Sequence, residues 1–185
     1  MRGVDGSPAV LFVCHANLCR SPMAERLAAG LAGDRLRIAS AGTHAEQGMP
    51  MHEWADATLR ELGADPVGFR SQRVSPALLA QSDLVLTADR GQRSRCVELL
   101  PAAVRRTFTI RQFGRLASAV LAAGLRPGPE TLLRDIAAVR GEVAVAAPED
   151  DDLADPVLGT RTDFLACARA IAAALEPAVT LIASP

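Results

Sequence analysis

From position 9 to 13 the chain is apolar without a break, Ala-Val-Leu-Phe-Val, and the run stops at a cysteine. So short and unbroken a run fits a strand covered on both faces. Ser21 then stands as an N-cap with Pro22 at the first helical position, and residues 23–31 continue with helical apolar spacing. Residues 14–20 are therefore a strand-to-helix loop. The alternation repeats, with strands predicted at 36–40, 84–87 and 107–110. Helices are predicted at 51–62, 76–81, 91–100, 111–124, 129–140 and 161–175, with Gly63 and Pro101 as stops. Strands alternating with helices predict an α/β fold: three layers, with a four-stranded parallel sheet flanked by helices. Residues 41–50 and 141–160 read as loops. The second contains Pro-Glu-Asp-Asp-Asp-Leu-Ala-Asp-Pro and is expected to be solvated.

At 185 residues the chain is read as a single domain, residues 1–185, long enough for a sizeable core. The formal net charge of -1 gives no general attraction to nucleic acid or to an anionic membrane. No apolar run reads as a membrane span and the first ten residues lack a signal-peptide apolar region, so the expected location is cytoplasmic. Cys14, Cys19, Cys96 and Cys167 have no paired zinc spacing and are expected to be reduced. Every basic side chain is arginine, and Asn17 is the only asparagine. Asn tolerates left-handed backbone and bonds locally through its side chain, which suits a tightly turned loop.

The loop 14–20 carries the candidate chemistry. In open α/β sheets, ligands bind beyond the carboxyl ends of strands. This loop lies there and feeds a helix N-terminus, where backbone N–H groups and the helix dipole attract an anion. Arg20 adds a planar donor fork matched to two phosphate oxygens. The same donors stabilise a thiolate at Cys14. A nucleophilic sulfur under an oxyanion cradle is suited to phosphoryl transfer through a phosphocysteine.

The string Cys14-His15-Ala16-Asn17-Leu18-Cys19-Arg20-Ser21-Pro22, followed by Met23-Ala24-Glu25, closely resembles the signature of the low-molecular-weight protein tyrosine phosphatases. Ser40-Ala41-Gly42-Thr43, Phe69-Arg70-Ser71, the segment 82–86 and Asp155-Pro156 resemble further parts of that family. The likeness covers most of the chain except about 113–150, which reads as a helical insertion. It implies the flavodoxin-like arrangement of that phosphatase type. It also implies Cys14 as nucleophile, Arg20 as phosphate clamp and Asp155 as general acid, then general base. His15, Ala16, Asn17, Leu18 and Cys19 would line the phosphate loop. Ser21 would hydrogen-bond the thiolate, and Asn17 would hold the loop, bonding to Ser40. No metal and no cofactor are implied. Asp150, Asp151 and Asp152 stand close to Asp155, where like-charge repulsion favours a protonated acid.

In that family aromatic residues usually wall the substrate slot. Here Val157 and Leu158 follow the acid, and His44, Ala45, Glu46 and Gln47 follow Thr43. The expected substrate is a protein carrying phosphotyrosine, or a small phosphate ester. Cys19 has two readings, packing or a redox partner that guards Cys14. Two other functions stay open. An arsenate reductase can use this fold; thioredoxin-coupled versions need further thiols, and Cys96 has no companion within a few residues. A phosphate- or phosphoprotein-binding module with weak catalysis is the other. Oligomeric state is unassigned.

Overall fold

The computed structural model describes residues 7–183 apart from 129, 142 and 145. Strands β1 (Ala9–Cys14), β2 (Arg37–Gly42), β3 (Leu84–Thr87) and β4 (Thr107–Thr109) form one sheet in the order β2-β1-β3-β4. All three pairings are parallel, with Val10 opposite both Ile38 and Leu84. Side chains alternate across a strand, so β1 feeds two cores. Val10, Phe12 and Cys14 enter the larger one, shared with helices α1 (Arg20–Ala32), α2 (Glu53–Glu61), α5 (Ile110–Ala122), α6 (Leu132–Val139) and α7 (Arg161–Ile182). Leu11 and Val13 enter the smaller one, with Leu79 of α3 (Pro76–Gln81) and Cys96 of α4 (Arg90–Leu99). Helices thus cover both faces, the expected three layers.

Three elements differ from the sequence pattern. α1 begins at Arg20 rather than after Ser21; Cys19 is the N-cap and no side chain caps that end. Ser21 is fully buried because its hydroxyl is used elsewhere, as described below. The last helix runs on to Ile182, passing through Pro177, because Ala178, Val179, Leu181 and Ile182 bury their side chains. At 22 residues α7 has the length and hydropathy of a membrane-crossing helix, and it packs here in the core with Phe164, Ala168, Ile171 and Leu175 buried. Finally, the 141–160 stretch is not simply solvated: Leu153 is buried and a short 3₁₀ turn spans Pro148–Asp151.

The 113–150 stretch opens inside the core. Phe113, Leu116, Ala117 and Val120 of α5 are buried, and α5 lies close on α7. Gly114 permits that approach, since a Cβ there would sit 2.7 Å from the Ala174 carbonyl oxygen. α6 then packs on α5, with Ile136 and Val139 buried.

Candidate active site

The loop between β1 and α1 is shaped by Asn17. Its backbone φ is +56°, the only positive φ of a non-glycine residue among those described. Its buried side chain donates to Ser21 Oγ at 2.9 Å and to Ser40 Oγ at 2.8 Å. It also accepts the Gln72 N–H at 2.9 Å. Three chain segments are thereby tied to one side chain. The β2 end presses on this loop from behind: a Cβ at Gly42 would lie 2.6 Å from the His15 carbonyl oxygen. Only glycine fits that approach without displacing the loop.

The loop turns its donors toward Cys14. The Asn17 N–H points at Cys14 Sγ from 3.2 Å, and the Ser21 hydroxyl from 3.0 Å. With α1 uncapped by any side chain, its first-turn N–H groups face the same end of the sheet. Arg20 is held at 6% side-chain exposure. Its guanidinium donates to Asp89 Oδ2 and to the Leu153 carbonyl, each at 3.2 Å. It also donates to Asp155 Oδ2. Residues 14, 20 and 155 are thus brought to one place, although the last lies 135 positions from the arginine. Asp155 accepts the Val157 N–H at 3.2 Å through its other oxygen.

Two of the neighbouring aspartates do not stand near Asp155 as free charges. Asp151 is paired with Arg115, and Asp152 with Arg90 at 3.0 Å. Burial pushes the Asp152 carboxyl up, but the Arg90 hydrogen bonds outweigh it and hold the group below its ordinary value.

The other loop residues fall into separate positions. His15 is exposed and stacks on His44 with ring centroids 4.5 Å apart. Ala16 is half-buried. Leu18 packs against the larger core and its carbonyl accepts the His52 N–H. Cys19 is buried, and burial foremost pushes its thiol up to about 12, with the Asp155 and Cys14 charges acting the same way. Ser40 donates to Glu25 Oε2 at 2.5 Å, continuing the network from Asn17 into α1. Burial raises the Glu25 pKa above the ordinary carboxylate value, against the lowering effects of Ser40 and Arg26.

Several site residues carry no signal in the sequence pattern. Asp89 follows β3 at its carboxyl end, where ligands gather, and that position alone marks it. Gln72 lies 55 positions from the Asn17 it bonds. Cys167 lies on α7 and its spacing carries no such signal either. The structure sets it within the field of Arg20, Asp155 and Cys14, with burial first among the causes that push its thiol to about 12. It lines a cavity of about 290 Å³ behind the acid loop, with Leu153, Asp155 and Pro156. Cys96, by contrast, belongs to the core on the opposite sheet face from Cys14. Among the described residues, no three His, Cys, Asp or Glu side chains converge as metal ligands.

The arrangement is a thiol under hydrogen-bond donors, a guanidinium fork beside it and a carboxylate opposite. Comparison with known proteins agrees with that chemistry. Residues 9–121 match the family model described as low molecular weight phosphotyrosine protein phosphatase. The protein-arginine-phosphatase of Geobacillus stearothermophilus is 34% identical over 104 residues, covering 56% of this chain and 70% of that protein. Arsenate reductase 2 of Staphylococcus epidermidis is 32% identical over 97 residues, covering 52% of this chain and 71% of that protein. Among solved structures, the YwlE arginine phosphatase from Geobacillus stearothermophilus superimposes with a TM-score of 0.70 at 25% identity, covering 93% of this chain and 90% of that one.

Proposed function

Because the chain belongs to the low molecular weight phosphotyrosine protein phosphatase family, and is thus a phosphatase, we propose that it hydrolyses phosphotyrosine in proteins through a phosphocysteine at Cys14. The observation that carries this reading is the convergence on Cys14 Sγ of the Asn17 amide and the Ser21 hydroxyl, with Arg20 and Asp155 alongside. These donors hold the sulfur in place and stabilise its charge when it leaves in the second step. In the first step the Cys14 sulfur attacks phosphorus and the ester P–O bond breaks. Asp155 gives its proton to the departing oxygen. In the second, Asp155 takes a proton from water, which attacks phosphorus and releases the Cys14 thiolate. Arg20 and the loop amides balance charge on the equatorial oxygens. For this, Arg20 exchanges Asp155 for the phosphate.

The walls of the slot support an aryl ester better than the residue types alone suggest. His15, next to Cys14 in sequence, and His44 offer flat, stacked imidazole rings. Val157 and Leu158, which follow the acid, are exposed, Leu158 almost completely, and offer aliphatic surface on that loop. We place the protein in the cytoplasm, as one phosphatase domain whose added helical part is the 113–150 stretch. Arsenate reduction is the second reading, favoured by the 32% identity to a reductase. It has to manage without Cys96, which faces away from Cys14.

Purified protein is assayed on para-nitrophenyl phosphate, a phosphotyrosine peptide and a phosphoarginine peptide, and on arsenate with a thiol donor, with Cys14→Ser as control. Turnover of the tyrosine peptide that disappears in Cys14→Ser supports the reading. Faster turnover of phosphoarginine, or arsenate reduction without esterase activity, refutes it.

A further inference from the structure

The loop that carries Asp155 is gripped from two sides. From α4, Arg90 binds the Asp152 carboxylate through Nε at 3.2 Å and Nη2 at 3.0 Å, while its backbone N–H adds a bond of 2.9 Å. From α5, two arginines one helical turn apart reach the same segment. Arg111 donates to the Asp152 carbonyl at 3.3 Å, and Arg115 donates to the Asp151 carboxylate. Leu153 comes next, its N–H on the Ala88 carbonyl and its own carbonyl on Arg20. Asp155 follows two residues later.

The Arg115 contact has the marks of a pair that fixes position more than it stabilises. Its side chains are 35% and 15% exposed, so both charges lose much of their water. The Arg115 Nε is buried with no hydrogen-bond partner, as is Gln112 Oε1 one turn back. Desolvation and an unmet donor offset most of what such a pair contributes to stability. What remains is geometry: Asp151 is held at one place on α5, and the four residues to Asp155 inherit that placement.

We propose that Arg115 is a positioning residue for the general acid. Through Asp151 it sets the acid loop so that the Asp155 carboxyl meets the leaving oxygen while Arg20 holds the phosphate. A misplacement on the order of 1 Å costs about a hundredfold in such a transfer. The proposal rests on Asp155 being the general acid, and its test separates the two claims.

Kinetics are measured with para-nitrophenyl phosphate, whose leaving group departs without help, and with phenyl phosphate, whose leaving group needs the proton. The proteins are wild type, Arg115→Gln, Arg115→Lys, Asp151→Asn, Asp155→Ala and Arg115→Gln/Asp155→Ala. Arg115→Gln and Asp151→Asn are each expected to lower kcat on phenyl phosphate about tenfold or more, and on para-nitrophenyl phosphate less than about twofold, with KM unchanged. Arg115→Lys recovers part of the loss. The double variant is no slower than Asp155→Ala, because the arginine acts only through the acid. Equal losses on both esters, or losses that add to those of Asp155→Ala, overturn the proposal. An Asp155→Ala protein that treats both esters alike removes the general-acid assignment itself, and the proposal with it. If Arg115→Gln does not fold, Asp151→Asn decides from the other side of the pair.

Discussion

Asn17 shows how much one residue decides. It holds a positive φ and keeps its side-chain amide bonded on both ends. Alanine there is strained by about 1–2 kcal/mol and leaves buried partners unmet at about 1–3 kcal/mol. We expect Asn17→Ala to lose about 2–5 kcal/mol in urea denaturation, with kcat falling as the loop relaxes and moves the residue-17 amide and the Ser21 hydroxyl away from Cys14 Sγ. Glu25 gives a pH signature. Its folded pKa is raised by burial, so its favourable contribution is complete below the ordinary carboxylate pKa and is lost as pH rises through the folded value. Wild-type stability minus that of Glu25→Gln is therefore expected to fall as pH is raised from about 4 toward neutrality, in denaturation midpoints measured across that range. A difference that grows instead would reverse the sign of the assignment. The sole asparagine was legible in the sequence because its residue type is tied to left-handed backbone. Gln72 was not, since a hydrogen bond spanning 55 positions leaves no local spacing to read, and Glu25 was read only as part of the matching string, not as the partner of Ser40.

At the scale of elements, β1 and the loop after it were legible because an unbroken apolar run and a Ser-Pro pair are strong local signals. The helix start was misplaced by that same pair. Ser21 has the chemistry of a cap, but its hydroxyl goes to Cys14, as the family resemblance implied and the local cap signal did not. The end of α7 was misplaced for a related reason, since proline usually closes a helix but burial of the following turn outweighs it. Pro177 still lacks an N–H and strains the turn before it. Pro177→Ala is expected to stabilise by about 1–3 kcal/mol, raising Tm by about 2–4 °C for each kcal/mol in calorimetry. A lowered Tm would mean the proline ring is needed for packing. The acid loop is largely exposed as expected, but its anchoring was not legible, because an acidic string looks alike whether water or arginines surround it. Arg90, Arg111 and Arg115 are spread over two helices, and nothing in their spacing announces a shared target.

Across the whole molecule the parallel sheet sorts the thiols. Cys14 and Cys96 lie on opposite faces, while Cys19 and Cys167 are buried beside the site. With thiols pushed to about 12, Cys19, Cys96 and Cys167 are expected to resist iodoacetamide at pH 8 in the native protein and to react after unfolding. Peptide mass spectrometry reads this directly, and rapid native labelling of Cys167 would contradict its burial. The fold class was legible from the alternation of elements, while the joining of Asp89, the Leu153 carbonyl and Asp155 around the Arg20 guanidinium appears only when the sheet is assembled. That joining has a consequence for turnover. Asp155 on Arg20 is a tethered competitor, present at a high effective concentration that no free anion has to supply. A substrate displaces it with the help of contacts outside the phosphate, whereas released inorganic phosphate has none to spend. On the proposed mechanism that competition would help clear the product, and phosphate is expected to inhibit Asp155→Ala at lower concentrations than wild type.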